Sequence, residues 1–447
     1  MPMTEWHAQW AWLGTDDGIR SGVLIGVDGD RIASLATDVR QPPPTARRLA
    51  GLVMPGLCNA HSHCFHRALR GRTNARGGTF WTWREAMYAV AARLNPETYH
   101  ALARATFAEM ALAGITSVGE FHYLHHDVDG RPYGNRNAMG EALIAAASEI
   151  GIRMTLLDTC YLAGGFGSPL QAVQRRFGDG DAHRWAERAS DLRVPAGVRR
   201  GAAIHSVRAV PAEQMTVVAQ WADDHQTPLH VHLSEQRAEN DACAIAYGCT
   251  PTQLLHDAGA LGDRTTAIHG THCAPADVLL LKARGCGLCM CPTTERDLGD
   301  GIGPAHDAAE AGVALSVGSD GHSVIDLFEE ARAMELDERL RVEARGHWTP
   351  AALLRAATAA GQAALGWGDV GRLAIGSLAD FIAIDLNTPR LAGADPGHLL
   401  EAVVYSATAS EVEEVVVGGR TIVSDRHHHT VVDVPDALRR AIATVTT

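Results

Sequence analysis

The chain has 447 residues and a formal net charge of −13, with 20% charged and 46% hydrophobic residues. This composition is that of a globular protein and excludes a disordered or fibrous chain. Because nucleic acids and anionic membranes are themselves polyanions, the negative charge argues against either of them as the main partner. The length suits a large α/β barrel with an accessory unit.

The N-terminal residues predict a cytoplasmic protein. They contain no basic segment followed by an apolar one, and no apolar run in the chain is long enough to span a bilayer. The nine cysteines lack the even number and the regular spacing of a disulfide framework. We therefore expect reduced thiols and no association with a membrane.

Short β-strands are predicted near both ends of the chain. They cover Gly22–Val27, Arg31–Leu35, Phe381–Leu386, Glu413–Val417 and Arg420–Val423. Neither group has enough strands to be stable alone, so we expect residues 1–53 and 366–447 to form one small composite β-sandwich domain. The triple histidine at 427–429 is interpreted as a solvated loop of this region.

The middle of the chain, residues 54–365, alternates short apolar strands with helical segments rich in alanine and leucine. The predicted strands are Leu52–His61, Ile115–Tyr123, Ile152–Leu162, Arg199–His205, Leu229–Leu233, Thr266–Gly270, Gly285–Cys291 and Val313–Ser319. Eight strands separated by helices predict an α/β fold of the (β/α)8 TIM-barrel type. In such a barrel the chemistry lies at the carboxyl ends of the strands.

Metal-binding side chains stand at the predicted ends of four of these strands. His61 and His63 end the first strand, and their spacing places both on one face of an extended chain. The other three strand ends carry His232 with Glu235, His269, and Asp320. Any one of these residues alone is more often structural. Together, three histidines and an aspartate at one barrel mouth predict a site for zinc or another divalent ion, with room for water.

These segments resemble the amidohydrolase superfamily, whose barrels hydrolyse C–N bonds with a metal-activated water molecule. The resemblance is carried by Pro55–His63, the strands of His232 and His269, and Ser319-Asp320. Members with two metal ions commonly bridge them with a carboxylated lysine at a strand end. The only lysine here, Lys282, lies in a predicted helix after the sixth strand. A single divalent ion, expected to be Zn²⁺, is therefore favoured.

Within that superfamily the chain is similar to the formimidoylglutamate deiminases. The matching stretches are His61–Leu69, Phe80–Tyr88, Glu120–His126, His205–Val210, His230–Gln236 and Leu298–Ile302. Those enzymes hydrolyse N-formimino-L-glutamate to N-formyl-L-glutamate and ammonia in histidine degradation. The resemblance thus implies a small dicarboxylate substrate and a homodimer.

The resemblance also implies a role for each candidate residue. The metal ligands would be His61, His63, His232 and Asp320; the catalytic residues Glu235, His269 and Asp320; and the substrate-binding residues His66, Arg84, Tyr123, His205 and Arg208. Because the substrate has two carboxylates, Arg84 and Arg208 suit charge-assisted contacts with it.

Two alternatives stay open. Another amidohydrolase deaminase, acting on a guanidino acid or a nucleobase, would share the metal ligands; a nucleobase enzyme would not need two arginines suited to a dicarboxylate. A catalytically silent barrel that serves as a binding module would need neither Glu235 nor His269 for proton transfer.

Overall fold

We describe residues 3–74 and 80–446 of a computed structural model, and only the backbone of Phe80 and Trp81. The aromatic pair that opens the stretch Phe80–Tyr88 therefore lies outside the described side chains. The described residues form sixteen β-strands: β1 (Thr4–Trp12), β2 (Ile19–Asp28), β3 (Arg31–Ala36), β4 (Arg47–Pro55), β5 (Leu57–Ser62), β6 (Ile115–His122), β7 (Arg153–Cys160), β8 (Val198–Ser206), β9 (Leu229–Leu233), β10 (Thr265–His269), β11 (Gly287–Met290), β12 (Ala314–Val317), β13 (Phe381–Ile384), β14 (Val412–Val417), β15 (Arg420–Ser424) and β16 (His427–His428).

The strands β5 to β12 form a parallel sheet that closes into a barrel. Their order in the sheet follows the chain, and each neighbouring pair is parallel. The two ends meet where a parallel bridge joins Ser62, at the end of β5, to Asp320, shortly after β12. The strands β5, β6 and β7 are buried along their whole length, as expected for parallel strands covered on both faces. The predicted TIM-type barrel is confirmed.

Helices follow most of the barrel strands. The described helices are α1 (Phe80–Ala91), α2 (Pro96–Leu112), α3 (Ala138–Ile150), α4 (Ala182–Asp191), α5 (Ala212–Asp224), α6 (Arg237–Tyr247), α7 (Pro251–Asp257), α8 (Pro275–Ala283), α9 (Pro292–Leu298), α10 (Ala305–Glu310), α11 (Leu327–Val342), α12 (Pro350–Arg355), α13 (Gly361–Ala364), α14 (Leu399–Ser406) and α15 (Val434–Thr446). Local sequence sets the start of α2, because Asn95 accepts a hydrogen bond from the Thr98 amide and Pro96 takes a position that needs no N–H. None of these helices is both long enough and apolar enough to cross a membrane.

Strands from both ends of the chain form the second sheet. Its order is β16-β15-β14-β13-β4-β1-β2-β3. The strand β4 pairs in parallel with β1 and antiparallel with β13, which joins the N-terminal and C-terminal strands. Trp6 and Phe381 pack edge to face in its core, with ring centroids 5.4 Å apart. The composite β domain is confirmed, while the exact boundaries at 53/54 and 365/366 stay predictions.

The first barrel strand is shorter than predicted. The stretch Leu52–His61 contains the end of β4 and most of β5, which are divided at Gly56. The Gly56 amide donates to the carbonyl of Asp380 at 3.1 Å. A Cβ atom at this position would lie 2.3 Å from Oγ1 of Thr116. The chain therefore passes from one sheet to the other where only glycine fits.

The triple histidine is only partly the solvated loop that was predicted: His427 and His429 are exposed, but His427 and His428 belong to the second sheet. His428 lies in β16 and is buried. Its Nδ1 accepts from the amides of Thr430 and Val431 at 3.1 and 3.0 Å, and its Nε2 donates to the carbonyl of Ile150 at 3.1 Å. These three hydrogen bonds satisfy both ring nitrogens of a neutral imidazole inside the protein. The sequence of three consecutive histidines did not predict that one of them is buried.

Candidate active site

The carboxyl ends of β5, β9 and β12 bring four polar side chains together. Nε2 of His232 lies 3.1 Å from Nε2 of His61 and 3.3 Å from Nε2 of His63. Oδ1 of Asp320 lies 3.3 Å from Nε2 of His61 and 3.4 Å from Nε2 of His63. Around a tetrahedral zinc ion with bonds of about 2.1 Å, ligand atoms are separated by about 3.3 Å. The spacing of these four atoms fits such an ion.

Backbone carbonyls orient two of these histidines. Nδ1 of His63 lies 3.0 Å from the carbonyl of Phe121, and Nδ1 of His232 lies 2.8 Å from the carbonyl of His205. Because a carbonyl only accepts, each Nδ1 carries the hydrogen and each Nε2 directs a lone pair into the cluster. Burial lowers the pKa of His61, His63 and His232, which favours the neutral form that binds metal. Buried lone pairs that converge in this way repel one another unless a cation lies between them.

Asp320 closes both the barrel and the cluster. Its amide donates to the carbonyl of His61 at 3.0 Å, and its carbonyl accepts from the amide of His63 at 3.3 Å. Its φ of +37° is a strained value for a residue other than glycine. Burial acts to raise the pKa of Asp320. The hydrogen bond with His61 and the nearby histidines outweigh burial and hold this pKa well below its usual range. The same contacts that close the barrel thus set an ionised carboxylate beside the imidazoles.

Two overlapping groups around Asp320 could surround an ion: one with His61, His232 and His269, the other with His63 and His66. The ligand atoms of His61, His232, His269 and Asp320 all lie within 4.8 Å of one another. However, Nε2 of His269 is 3.8 Å from Oδ2 of Asp320, whereas Nε2 of His63 is 3.4 Å from Oδ1. We therefore favour His63 as the third nitrogen ligand, with His269 adjacent to the ion.

His269 and Glu235 lie beside the cluster and face each other. Nε2 of His269 is 3.9 Å from Oε1 of Glu235, and its Nδ1 is 3.3 Å from Oε1 of Glu295, which also accepts from the Cys291 amide at 2.9 Å. Although burial opposes the shift, the carboxylates of Glu235, Glu295 and Asp320 raise the pKa of His269 well above its usual value. Burial raises the pKa of Glu235. Perturbed, facing groups of this kind are typical of acid–base catalysis.

A cavity of about 610 Å³ opens over the cluster. Ten of the eleven predicted site residues line it: His63, His66, Arg84, Tyr123, His205, Arg208, His232, Glu235, His269 and Asp320. His61, the remaining one, is fully buried behind it. The structure therefore brings every predicted site residue to one place.

The cavity wall also contains residues that were not predicted: Trp83, Met87, Tyr88, Tyr161, Phe177 and Leu298. Tyr161 directly follows β7 as Tyr123 follows β6, so its position at a strand end was a usable signal. Trp83 and Tyr88 belong to a stretch already singled out in the sequence. Phe177 lies in a connecting segment and had no sequence signal.

The two predicted substrate arginines both face this cavity. Nε of Arg208 donates to Oε2 of Glu239 at 2.6 Å. Within the described part of the chain its Nη1 and Nη2 have no hydrogen-bond partner, so both can contact a ligand. The guanidinium carbon of Arg84 lies 5.7 Å from the ring centroid of Tyr88.

Comparison with known proteins identifies the family. A profile of the amidohydrolase family matches residues 52–422. This chain belongs to the amidohydrolase family. Formimidoylglutamate deiminase of Pseudomonas aeruginosa is 40% identical to this amidohydrolase over 398 residues, which cover 86% of this chain and 87% of that protein. The 8-oxoguanine deaminase of the same organism is 31% identical over 423 residues, 92% of each chain. The crystal structure of an amidohydrolase from Brucella melitensis superposes with a TM-score of 0.91, at 33% identity, over 99% of this chain and 100% of that chain.

Membership of this family confirms the prediction of a hydrolase that acts on C–N bonds. Amidohydrolases are metal-dependent, and the histidine–aspartate cluster of this amidohydrolase fits a divalent ion. Lys282 lies in α8, as predicted, and its Nζ donates to the carbonyl of Gly312 at 2.8 Å. It therefore does not stand at a strand end, where a bridging lysine would have to lie.

Proposed function

We propose that this amidohydrolase hydrolyses N-formimino-L-glutamate to N-formyl-L-glutamate and ammonia, a step of histidine degradation. The observation that carries the proposal is the presence of two arginines, Arg84 and Arg208, in the same cavity as the metal-type cluster. A substrate with one amidine and two carboxylates matches a cavity that is lined by both the metal-type cluster and two arginines. The 40% identical relative carries the name of this activity.

The arginines give the proposal its substrate class. A guanidinium binds a carboxylate by paired, charge-assisted hydrogen bonds. The free Nη atoms of Arg208 are suited to such a pair, because Glu239 engages the guanidinium only at Nε. A nucleobase has no carboxylate to pair with the free Nη atoms of Arg208.

We assign the metal ligands to His61, His63, His232 and Asp320, and the ion to Zn²⁺. The nitrogen-rich donor set and its near-tetrahedral spacing support zinc over magnesium or calcium, which prefer oxygen donors. When bound, the ion supplies a Lewis acid that lowers the pKa of a water molecule.

The remaining chemistry is assigned to this chain's own side chains. Asp320 accepts a proton from the attacking water through Oδ2, the oxygen that faces His269 at 3.8 Å. His269 donates a hydrogen bond to the tetrahedral carbon's substituents as charge develops. Glu235 passes a proton to the departing nitrogen. The C–O bond forms and becomes the formyl C=O, the C–N bond to the imino nitrogen breaks, and that nitrogen leaves as ammonia after taking up both protons of the attacking water through these side chains.

The test is ammonia release from N-formimino-L-glutamate by the zinc-loaded protein. Glu235→Ala is expected to lower kcat by about 100-fold or more, because general acid–base groups contribute at least that much. Arg208→Ala is expected to raise KM. Arg184→Ala is the matched control, since the Arg184 side chain is 71% exposed and lies on α4.

The alternatives are separated by the substrate panel. Turnover of 8-oxoguanine or of a guanidino acid, with formiminoglutamate inert, would replace the substrate but keep the chemistry. Metal uptake with no turnover of any amidine or nucleobase would favour the silent binding barrel. The homodimer implied by the family resemblance and the cytoplasmic location predicted from the sequence both stay predictions.

A further inference from the structure

The cavity wall contains two tyrosines that the proposed chemistry does not use. Tyr88 projects from α1, and Tyr161 directly follows β7. The side-chain amide of Gln174, which is 1% exposed, connects them. Nε2 of Gln174 donates to the hydroxyl oxygen of Tyr88 at 3.0 Å and to that of Tyr161 at 2.9 Å.

The backbone determines which way the Gln174 amide points. Its Oε1 accepts from the amide of Gln171 at 2.8 Å. A backbone N–H can only donate, so the side-chain atom facing it must be the oxygen. The nitrogen therefore faces the two tyrosines, and each hydroxyl oxygen accepts one of its two hydrogens.

The hydroxyl hydrogens then need acceptors elsewhere. Within the described residues, the two hydroxyls contact Gln174 and each other, and no third hydrogen-bond partner. Even when one hydroxyl donates to the other, one hydrogen is left over. Burial and the neighbouring Tyr88 raise the pKa of Tyr161 above its usual value, so its phenol keeps its hydrogen. The pair is thus a hydrogen-bond donor towards the cavity.

The surroundings specify the chemistry of the missing acceptor. Arg208 lines the same cavity, with Nη1 and Nη2 available. The ring of His205 packs against Tyr161 with centroids 4.3 Å apart. A group that accepts from phenols and pairs with a guanidinium is an anionic oxygen acceptor.

We propose that Tyr88, Tyr161 and Arg208 form one carboxylate subsite, and that Gln174 is the positioning residue that directs the phenolic hydrogens into it. The inference rests on the proposed function, because it assigns a binding site for one carboxylate of the dicarboxylate substrate. The subsite consists of donors alone. It therefore accepts a carboxylate and rejects the corresponding carboxamide, whose NH₂ group would face other donors.

The decisive variant is Gln174→Glu. It keeps the shape and the acceptor for the Gln171 amide, but it replaces the donor with a second acceptor that draws the phenolic hydrogens away from the cavity. We expect KM for N-formimino-L-glutamate to rise about tenfold or more, since bonds to charged groups are the stronger ones. We expect kcat/KM for formamidine, which has no carboxylate, to stay within about twofold of wild type. The substitution removes donors to a carboxylate and leaves the metal-type cluster unchanged.

Tyr161→Phe and Tyr88→Phe test the subsite independently, in case the buried Gln174→Glu variant does not fold. Each keeps the ring and removes one donor, so each is expected to raise KM with kcat retained. Tyr247→Phe is the control, because Tyr247 is 42% exposed on α6. Binding of glutarate, a dicarboxylate without the amidine, is measured on the same proteins by calorimetry.

The outcomes separate this inference from the proposed function. If wild type hydrolyses formiminoglutamate but Gln174→Glu and Tyr161→Phe leave both KM and glutarate affinity unchanged, the subsite is refuted and the function stands. If formiminoglutamate is inert while glutarate binds and these variants weaken it, the function fails and the subsite stands. If wild type neither hydrolyses formiminoglutamate nor binds glutarate, both are refuted.

Discussion

Glu239 connects Arg208 to the backbone next to Glu235. Its Oε2 accepts from Nε of Arg208 at 2.6 Å, and its Oε1 accepts from the amide of Ser234 at 2.9 Å. Glu239 is 1% exposed, and Ser234 has a left-handed φ of +49°. One buried carboxylate therefore holds both Arg208, to which we assign substrate binding, and the strained turn that leads into Glu235, to which we assign proton transfer.

Replacing Glu239 is expected to weaken substrate binding. Glu239→Gln keeps the side-chain shape and the acceptor for Ser234 but removes the charge that holds Arg208, so KM should rise about tenfold with kcat little changed. Glu239→Ala also releases the turn, so kcat should fall as well. Steady-state kinetics measure both, with the exposed Glu213→Gln on α5 as control. Wild-type KM values in both variants would contradict the assignment.

Metal removal is expected to abolish activity and to lower thermal stability. Without a cation, the lone pairs of His61, His63 and His232 face one another in a buried site. Binding at a free metal concentration about 1,000-fold above Kd stabilises the fold by about 4 kcal/mol. Thermal unfolding and ammonia release are compared for chelated protein and for protein reconstituted with zinc. Full activity at no detectable metal would refute a metal-dependent site here.

A buried ion-pair cluster outside the cavity is expected to make a large contribution to the free energy of unfolding. Arg188 donates to both oxygens of Asp158, at 2.8 and 2.9 Å, and to Asp179 at 2.9 Å. Arg188→Met leaves two buried carboxylates without this partner and should lower the free energy of unfolding by about 3–5 kcal/mol. Urea denaturation measures the loss. Arg184→Met removes an exposed pair with Asp181 and should change the free energy by less than about 0.5 kcal/mol.

The same cluster predicts the acid limit of the fold. Burial acts to raise the pKa of both carboxylates, but their cationic surroundings outweigh it. Arg188 holds the pKa of Asp158 below its usual value, and the hydrogen bond with His126 together with Arg188 holds that of Asp179 below its usual value. A depressed pKa in the folded state contributes stability that is fully present above the unfolded pKa of about 3.9. The contribution is lost as pH falls below that value.

We therefore expect the free energy of unfolding to decline as pH falls from about 5 to about 3, and to decline less steeply in Arg188→Met. Urea denaturation at a series of pH values measures both slopes. Equal slopes in the two proteins would show that these carboxylates do not set the acid limit.

The sequence by itself determined the barrel and the set of residues at its mouth. Eight apolar strands between helices allow few other folds, and parallel strands of one barrel place all their carboxyl ends at one mouth. Hence His61, His63, His232, His269 and Asp320 could be assigned to one site without coordinates. The resemblance to a known family supplied the cavity residues Arg84, Tyr123 and His205.

The tertiary structure alone decided where the two sheets divide. The stretch from Leu52 to His61 is mainly apolar, and although Pro55-Gly56 signals a local break, a break does not show that the chain passes from one sheet to another. The division at Gly56 depends on Thr116 and Asp380, which approach it only in the folded chain.

Only the tertiary structure, likewise, showed how the cavity's donors are oriented. The partner of Arg208 is Glu239, 31 residues further along the chain, and Gln174 reaches Tyr88 across 86 residues. A hydrogen bond depends on distances of about 3 Å and on which atom carries the hydrogen. Neither is encoded in residue type or spacing, because both arise only when distant segments pack against each other.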